Sequence, residues 1–216
     1  MWIVAAMLLA GMLSTAPAIG APLPSKNVPM RTFKDALEIR AWRVFCDGPG
    51  KVECAVDTAQ PDHIELTARN WKEIEDVNTR VNRTVKLVAD QEHWGAPDVW
   101  GLAEDGKGDS EDYVLLKRKL LVGKGLSRRA MRFTVVIDAE GHGHGLLTVI
   151  TDRGDFVLDN KTDTVWPWHQ TGYVFIKREG QDKVGWVSLG GVTDPSSYDK
   201  MSKPKEAGGP APKPLR

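Results

Sequence analysis

The stretch that most constrains this chain runs from Glu104 to Val122, a polar loop with Gly106 and Gly108 leading straight into an apolar-periodic segment. Tyr113, Leu116, Leu120 and Leu121 recur at three- and four-residue steps, the spacing of one helix face turned to a core. Asp109 and Ser110 stand where N-caps stand, and Glu111 and Asp112 fill the first turn, where carboxylates favour the helix dipole. Ser110 therefore falls at the N-terminal end of a helix anchored inside the protein. Free N–H groups and the dipole stabilise negative charge there, which suits a nucleophile. Taken alone, the same pattern also describes a serine that only caps a helix.

Partners for Ser110 lie downstream. His144 opens a strand-like run, 144–151, and Asp159 follows the next one, 155–158, after the tight turn Asp152-Arg153-Gly154. The order nucleophile, His, Asp is thus set out along the chain. Further strands are expected within 128–138, 172–178 and 184–189, with Trp166-Pro167-Trp168 as a connector between pairs. Upstream, a short helix is expected over 33–45. Thr67 then precedes Trp71, Ile74, Val77, Val81 and Val85, a long helical stripe with Asn78 and Asn82 one turn apart beside it. The segment from His93 to Trp100 holds glycine, proline and two tryptophans, so it cannot continue a helix. Trp94 and Trp100 suit either an apolar wall beside the site or a plug in the core. Helices first and an antiparallel sheet afterwards predict an α+β fold.

The 216 residues suit one domain over 21–200, and Lys plus Arg balances Asp plus Glu at 29 each. That balance gives no field for nucleic acid or an anionic membrane surface. Residues 2–13 are an apolar run followed by small residues, which predicts a signal peptide over 1–20 and a periplasmic or secreted protein. The run is short for a membrane span. Cys46 and Cys54 flank a Gly-Pro-Gly turn, and in an oxidising space they are expected to form a disulfide. Residues 201–216, rich in Pro, Gly and Lys, predict a disordered tail.

Five ordered blocks carry a resemblance: Asn78-x-x-x-Asn82, His93-Trp94-Gly95-x-x-Asp98-x-Trp100, Gly108-Asp109-Ser110-Glu111-Asp112-Tyr113, His144-Gly145-Leu146-Leu147 and Leu158-Asp159-Asn160. Together they resemble the bacterial transglutaminase-like cysteine peptidases. The resemblance implies a papain/transglutaminase-like core and proteolysis of protein substrates, surface adhesins among them. It gives Ser110 the nucleophile position, His144 the base and Asp159 the orienting carboxylate. It also implies a calcium site that includes Asp109 and Glu111, and asparagines that fasten neighbouring loops. One position departs from the pattern: the family has Cys where this chain has Ser110. A thiol of ordinary pKa near ~8.5 is readily driven to thiolate beside an imidazole, whereas a hydroxyl offers no such anion. The departure leaves three readings: a peptidase impaired to a weak serine hydrolase, a natural non-catalytic protein of the same fold that binds peptide or calcium, or a deliberate Cys-to-Ser variant.

His142 and His144 form a second pattern, because residues two apart on a strand share a face and a His pair can ligate a transition metal. Gly141, Gly143 and Gly145 make that corner loose, and the sequence shows no third ligand.

Overall fold

The computed structural model describes residues 22–202. In chain order its elements are β1 (Asp35–Ala36), α1 (Arg40–Asp47), α2 (Lys51–Cys54), α3 (Ala68–Thr84), β2 (Lys86–Leu87), α4 (Asp90–His93), β3 (Lys107–Gly108) and α5 (Ser110–Gly123). Then follow β4 (Met131–Ile137), β5 (Gly143–Thr151), β6 (Gly154–Asp159), β7 (Thr162–Pro167), β8 (Val174–Glu179), β9 (Trp186–Val192) and α6 (Ser196–Ser202). Most helices precede most strands, and the fold is α+β. The predicted signal peptide lies outside the described residues, as does the predicted tail beyond residue 202. Residues 201 and 202 end a helix rather than begin a tail. Among the described residues no helix is long and apolar enough to cross a membrane.

The long strands form one seven-stranded sheet in the order β1-β9-β8-β4-β5-β6-β7, with every neighbouring pair antiparallel. Alternation along β5 sorts its residues between two cores. Leu147 and Val149 join Phe133, Phe156 and Leu158 in a cluster with α3 and α5, while Leu146 joins Val136, Val157, Phe175 and Trp168 on the other face. Thr67 caps α3 by accepting from the Asn70 N–H, and Trp71, Ile74, Val77 and Val81 are buried along that helix.

Three expectations need correction. The helix expected over 33–45 begins only at Arg40, because Asp35–Ala36 pairs as an edge strand against β9. Trp166 and Pro167 are not a connector but end β7, an edge strand, where a proline without an N–H costs no ladder bond. On α5 the buried face is wider than the apolar stripe, since Lys117 and Arg118 are buried whereas Leu116 and Leu120 are only half-buried. The helix packs on α3, β4 and β5, so charged side chains are enclosed with apolar ones. Arg118 meets the buried carboxylate of Glu179, which also accepts from Trp42 Nε1 and the Phe133 N–H. Cys46 and Cys54 are joined in a disulfide that ties α1 to α2.

Candidate active site

Asp109 is the N-cap of α5 and Ser110 its first helical residue. The Asp109 carboxylate accepts from the Glu111 N–H at 3.3 Å, and the Asp112 carboxylate reaches back to the Asp109 N–H, a reciprocal cap. Gly108 is required by this arrangement, because a Cβ there would lie 2.4 Å from Asp112 Oδ2. The Ser110 hydroxyl donates to Glu111 Oε2 at 2.7 Å and accepts from the Gly145 N–H at 3.3 Å. Ser110 thus rests against β5 at the residue after His144. Gly145 also admits no side chain, since its Cβ would fall 2.7 Å from Phe133 Cζ and 3.3 Å from Ser110 Oγ.

His144 and Asp159 are buried and joined, Nε2 to Oδ1, at 2.7 Å. The same carboxylate accepts from the Lys161 N–H at 3.0 Å and, on Oδ2, from the Tyr173 hydroxyl at 2.8 Å. Burial pushes the Asp159 carboxyl up, but the hydrogen bond and charge of His144, with those two donors, hold it below its ordinary value. An ionised Asp159 only accepts, so His144 Nε2 is the donor and a neutral ring keeps its lone pair on Nδ1. The Tyr173 hydroxyl is pushed upward by its burial and by Asp159, and its ring stands edge-on to His144 with centroids 6.2 Å apart. Behind Asp159, Asn82 Nδ2 donates to its carbonyl at 3.0 Å, and Asn78 Nδ2 donates to the carbonyls of Thr162 and Asp163 at 3.0 Å each. The two asparagines of α3 therefore fasten the β6–β7 hairpin. No sequence signal pointed to Tyr173, which lies fourteen residues after Asp159, just before β8.

A second polar cluster lies on the other side of the first turn of α5. Carboxylate oxygens of Asp90, Asp109 and Asp112 all lie within 4.8 Å of one another. Burial first, then repulsion from Glu111 and Asp90, pushes Asp109 up to about 9, and burial above all raises Asp112 to about 6. Asp90 is raised as well, again by burial. Asp90 Oδ2 and Asp112 Oδ1 accept from the backbone N–H groups of Val99 and Gly101, whereas the buried Asp90 Oδ1 has no partner. An orphaned carboxylate oxygen among three acidic groups is a donor set that fits a hard divalent cation. Of the expected pair, Asp109 belongs to this trio; Glu111 stands outside it and holds Ser110 instead. Asp90 was missed, because it lies nineteen residues before Asp109 in sequence and joins only through the fold. Among the described residues this trio is the sole group of three or more such ligands, and neither His142 nor His144 belongs to it. The imidazole of His144 is committed to Asp159.

Trp100 is buried and stacked on Phe133 with ring centroids 4.5 Å apart, whereas Trp94 is 55% exposed. Trp100 does plug the core, and both rings also line one cavity of about 390 Å³. Upstream of that wall, His93 Nε2 pairs with Asp105 at 2.7 Å.

The comparisons with known proteins agree with this picture at the level of family. No curated protein sequence matches the chain. The calcium-bound structure of LapG from Legionella pneumophila is 19% identical with a TM-score of 0.47, over 55% of this chain and 68% of that one. Two further LapG structures from that organism, one of them EGTA-treated, are each 21% identical with a TM-score of 0.48, over 61% of this chain and 75% of theirs. The model of the bacterial transglutaminase-like cysteine proteinases matches residues 34–194, which hold every strand of the large sheet and both polar clusters. The chain is a member of that family of cysteine peptidases.

Proposed function

We propose that this protein is an exported, periplasmic or secreted, peptide-binding hydrolase of that family, built for attack on protein substrates, surface adhesins included. Ser110 occupies the nucleophile position, His144 acts as base and then acid, and Asp159 orients the imidazole. The observation that carries this reading is the buried 2.7 Å bond from His144 Nε2 to Asp159, one residue from the backbone against which Ser110 rests. With Nε2 committed, Nδ1 is the atom that would take the nucleophile's proton. The Gly145 N–H and the positive end of α5 favour charge developing at Oγ. Ser110 meets β5 at Gly145 and its hydroxyl donates to Glu111; because successive strand residues point to opposite faces, proton transfer to the His144 imidazole would run around the open end of β5. There β6 has stopped pairing, after Leu147↔Leu158. The same proposal assigns Asp90, Asp109 and Asp112 to a bound calcium ion, whose two positive charges would offset most of the carboxylates' mutual repulsion and fix the start of α5.

A hydroxyl in this setting gives slow chemistry, since no preformed anion is available. The bond from Ser110 to Glu111, rather than to His144, favours a second reading: a protein that binds peptide and no longer cleaves it. Ser110→Cys separates the two. An activated site yields a thiol that iodoacetamide alkylates quickly near pH 7 and that His144→Ala slows; an ordinary, unactivated thiol defeats the nucleophile assignment.

A further inference from the structure

The cavity of about 390 Å³ beside α5 shares no residue with the triad and only Asp112 with the acidic trio. Its walls are mainly apolar: Trp94, Val99, Trp100, Leu102 and Ala103, with Asp112 among its polar residues. Three observations make it a built recess rather than a gap in packing. Its wall is fastened at two points, because the Val99 and Gly101 N–H groups donate to Asp90 and Asp112. That segment is also held in an unusual backbone: Asp98 and Ala103 have φ of 61° and 47°, a left-handed conformation that non-glycine residues rarely adopt and that surrounding structure must over-determine. Lastly, Trp94 keeps a 55% exposed indole at the rim instead of burying it.

Its place relative to Ser110 says what could enter. Trp100 lines the cavity and stacks on Phe133, and Phe133 closes on Gly145, where Ser110 Oγ lies. The recess thus stands about two rings from the reacting hydroxyl. Its size falls at the lower end of ligand pockets, ample for one bulky side chain. Its charged lining is mostly acidic, Glu104, Asp105 and Asp112 against Lys107, which disfavours an acidic guest.

We infer that this cavity is the subsite that receives one bulky apolar side chain of an extended peptide bound across Ser110, with Trp94 and Leu102 as its specificity-determining residues. The inference rests on the proposed function in taking a peptide as the ligand. Burying one apolar side chain in such a pocket discriminates by about tenfold or more against glycine.

The test is an equilibrium titration of the full chain with acetyl-Gly-Gly-Phe-Gly-Gly-amide and its all-glycine counterpart, followed by the NMR signals of the Trp94 indole and the Leu102 amide. The phenylalanine peptide should bind about tenfold tighter or better and move both signals. Trp94→Ala, which removes an exposed wall, and Leu102→Trp, which fills the space, should each abolish the preference. Equal binding of the two peptides, or a preference that survives both variants, overturns the assignment. Alkylation of Ser110→Cys keeps this result apart from the nucleophile reading. An ordinary thiol with phenylalanine-selective binding defeats the nucleophile and leaves the cavity standing; a fast thiol without selectivity does the reverse.

Discussion

Asp159 and Asp90 are both buried aspartates on either side of one helix end, and their surroundings push them in opposite directions. Asp159 is met by three donors, from His144, Lys161 and Tyr173, and its carboxyl is held low. Asp90 is met by one backbone donor and two further carboxylates; its Oδ1 is bare and its carboxyl is pushed up. Burial alone would raise both, so the difference is the company each keeps. A carboxylate ringed by donors is complete without a ligand. One ringed by carboxylates demands protons or a cation.

The largest expected effect breaks the complete side. In a Ser110→Cys chain that turns over, Asp159→Ala frees the imidazole to take the wrong tautomer and orientation. Turnover of a protein substrate should fall on the order of 10⁴-fold, the scale seen when an orienting aspartate is lost. A fall smaller than about tenfold would mean that Asp159 supports the hairpin and not the imidazole.

The incomplete side should answer to pH and calcium. Asp109 and Asp112, at about 9 and about 6, bind protons in the folded chain over a range where unfolded carboxyls have lost theirs. The folded state therefore holds more protons, and the stabilisation is fully present below pH ~4 and is lost as pH rises through the raised values. Without calcium, thermal stability should decline from about pH 4 towards pH 9. Calcium competes with those protons, so the melting temperature it adds should grow with pH. At a hundredfold excess over its dissociation constant the gain is about 2.7 kcal/mol, which for a chain this size is roughly 5–10 °C. Asp109→Asn keeps a good N-cap yet should flatten the calcium-free pH profile and remove the calcium response. A calcium shift equal at pH 5 and pH 8 would contradict the linkage.

The two clusters were not equally legible in the sequence. The positions of Ser110, His144 and Asp159 sit in local patterns that a sequence carries openly, a cap before an apolar helix, a glycine turn into a strand and a hairpin end, whereas the roles given to them came from the family resemblance. The long helix after Thr67 and the Cys46–Cys54 bridge were legible for the same reason. Asp90 was not, because its role depends on α4 being folded back over the start of α5, and nothing local marks that approach. Nothing in the sequence marks Lys117 and Arg118 as buried, because charge usually means exposure. Glu179, which receives Arg118, is sixty-one residues further on. Strand β7 was hidden by its own proline, tolerated only because no strand pairs beyond it.

The smallest predicted effect sharpens the comparison within the complete side itself. Asn78 and Asn82 lie one turn apart on α3, and each gives its side-chain N–H groups to the β6–β7 hairpin. Either asparagine changed to alanine leaves carbonyls of that hairpin short of a donor, at a cost of about 1–3 kcal/mol. Melting temperature should drop by a few degrees, at roughly 2–4 °C per kcal/mol. The two should nonetheless differ in reach. Both donate to the Thr162 carbonyl, but Asn82 also holds the carbonyl of Asp159 itself, whereas Asn78 also holds that of Asp163, beyond the turn. Asn82→Ala should therefore move the NMR signals of the His144 ring and slow alkylation of a Ser110→Cys thiol, while Asn78→Ala should lower stability and leave both readouts in place. If Asn78→Ala moves the His144 ring signals as far as Asn82→Ala does, the imidazole is positioned by the hairpin as a whole. The support of Asp159 would then not be local, and its contrast with Asp90 would lie in the sheet behind it rather than in the donors that touch it.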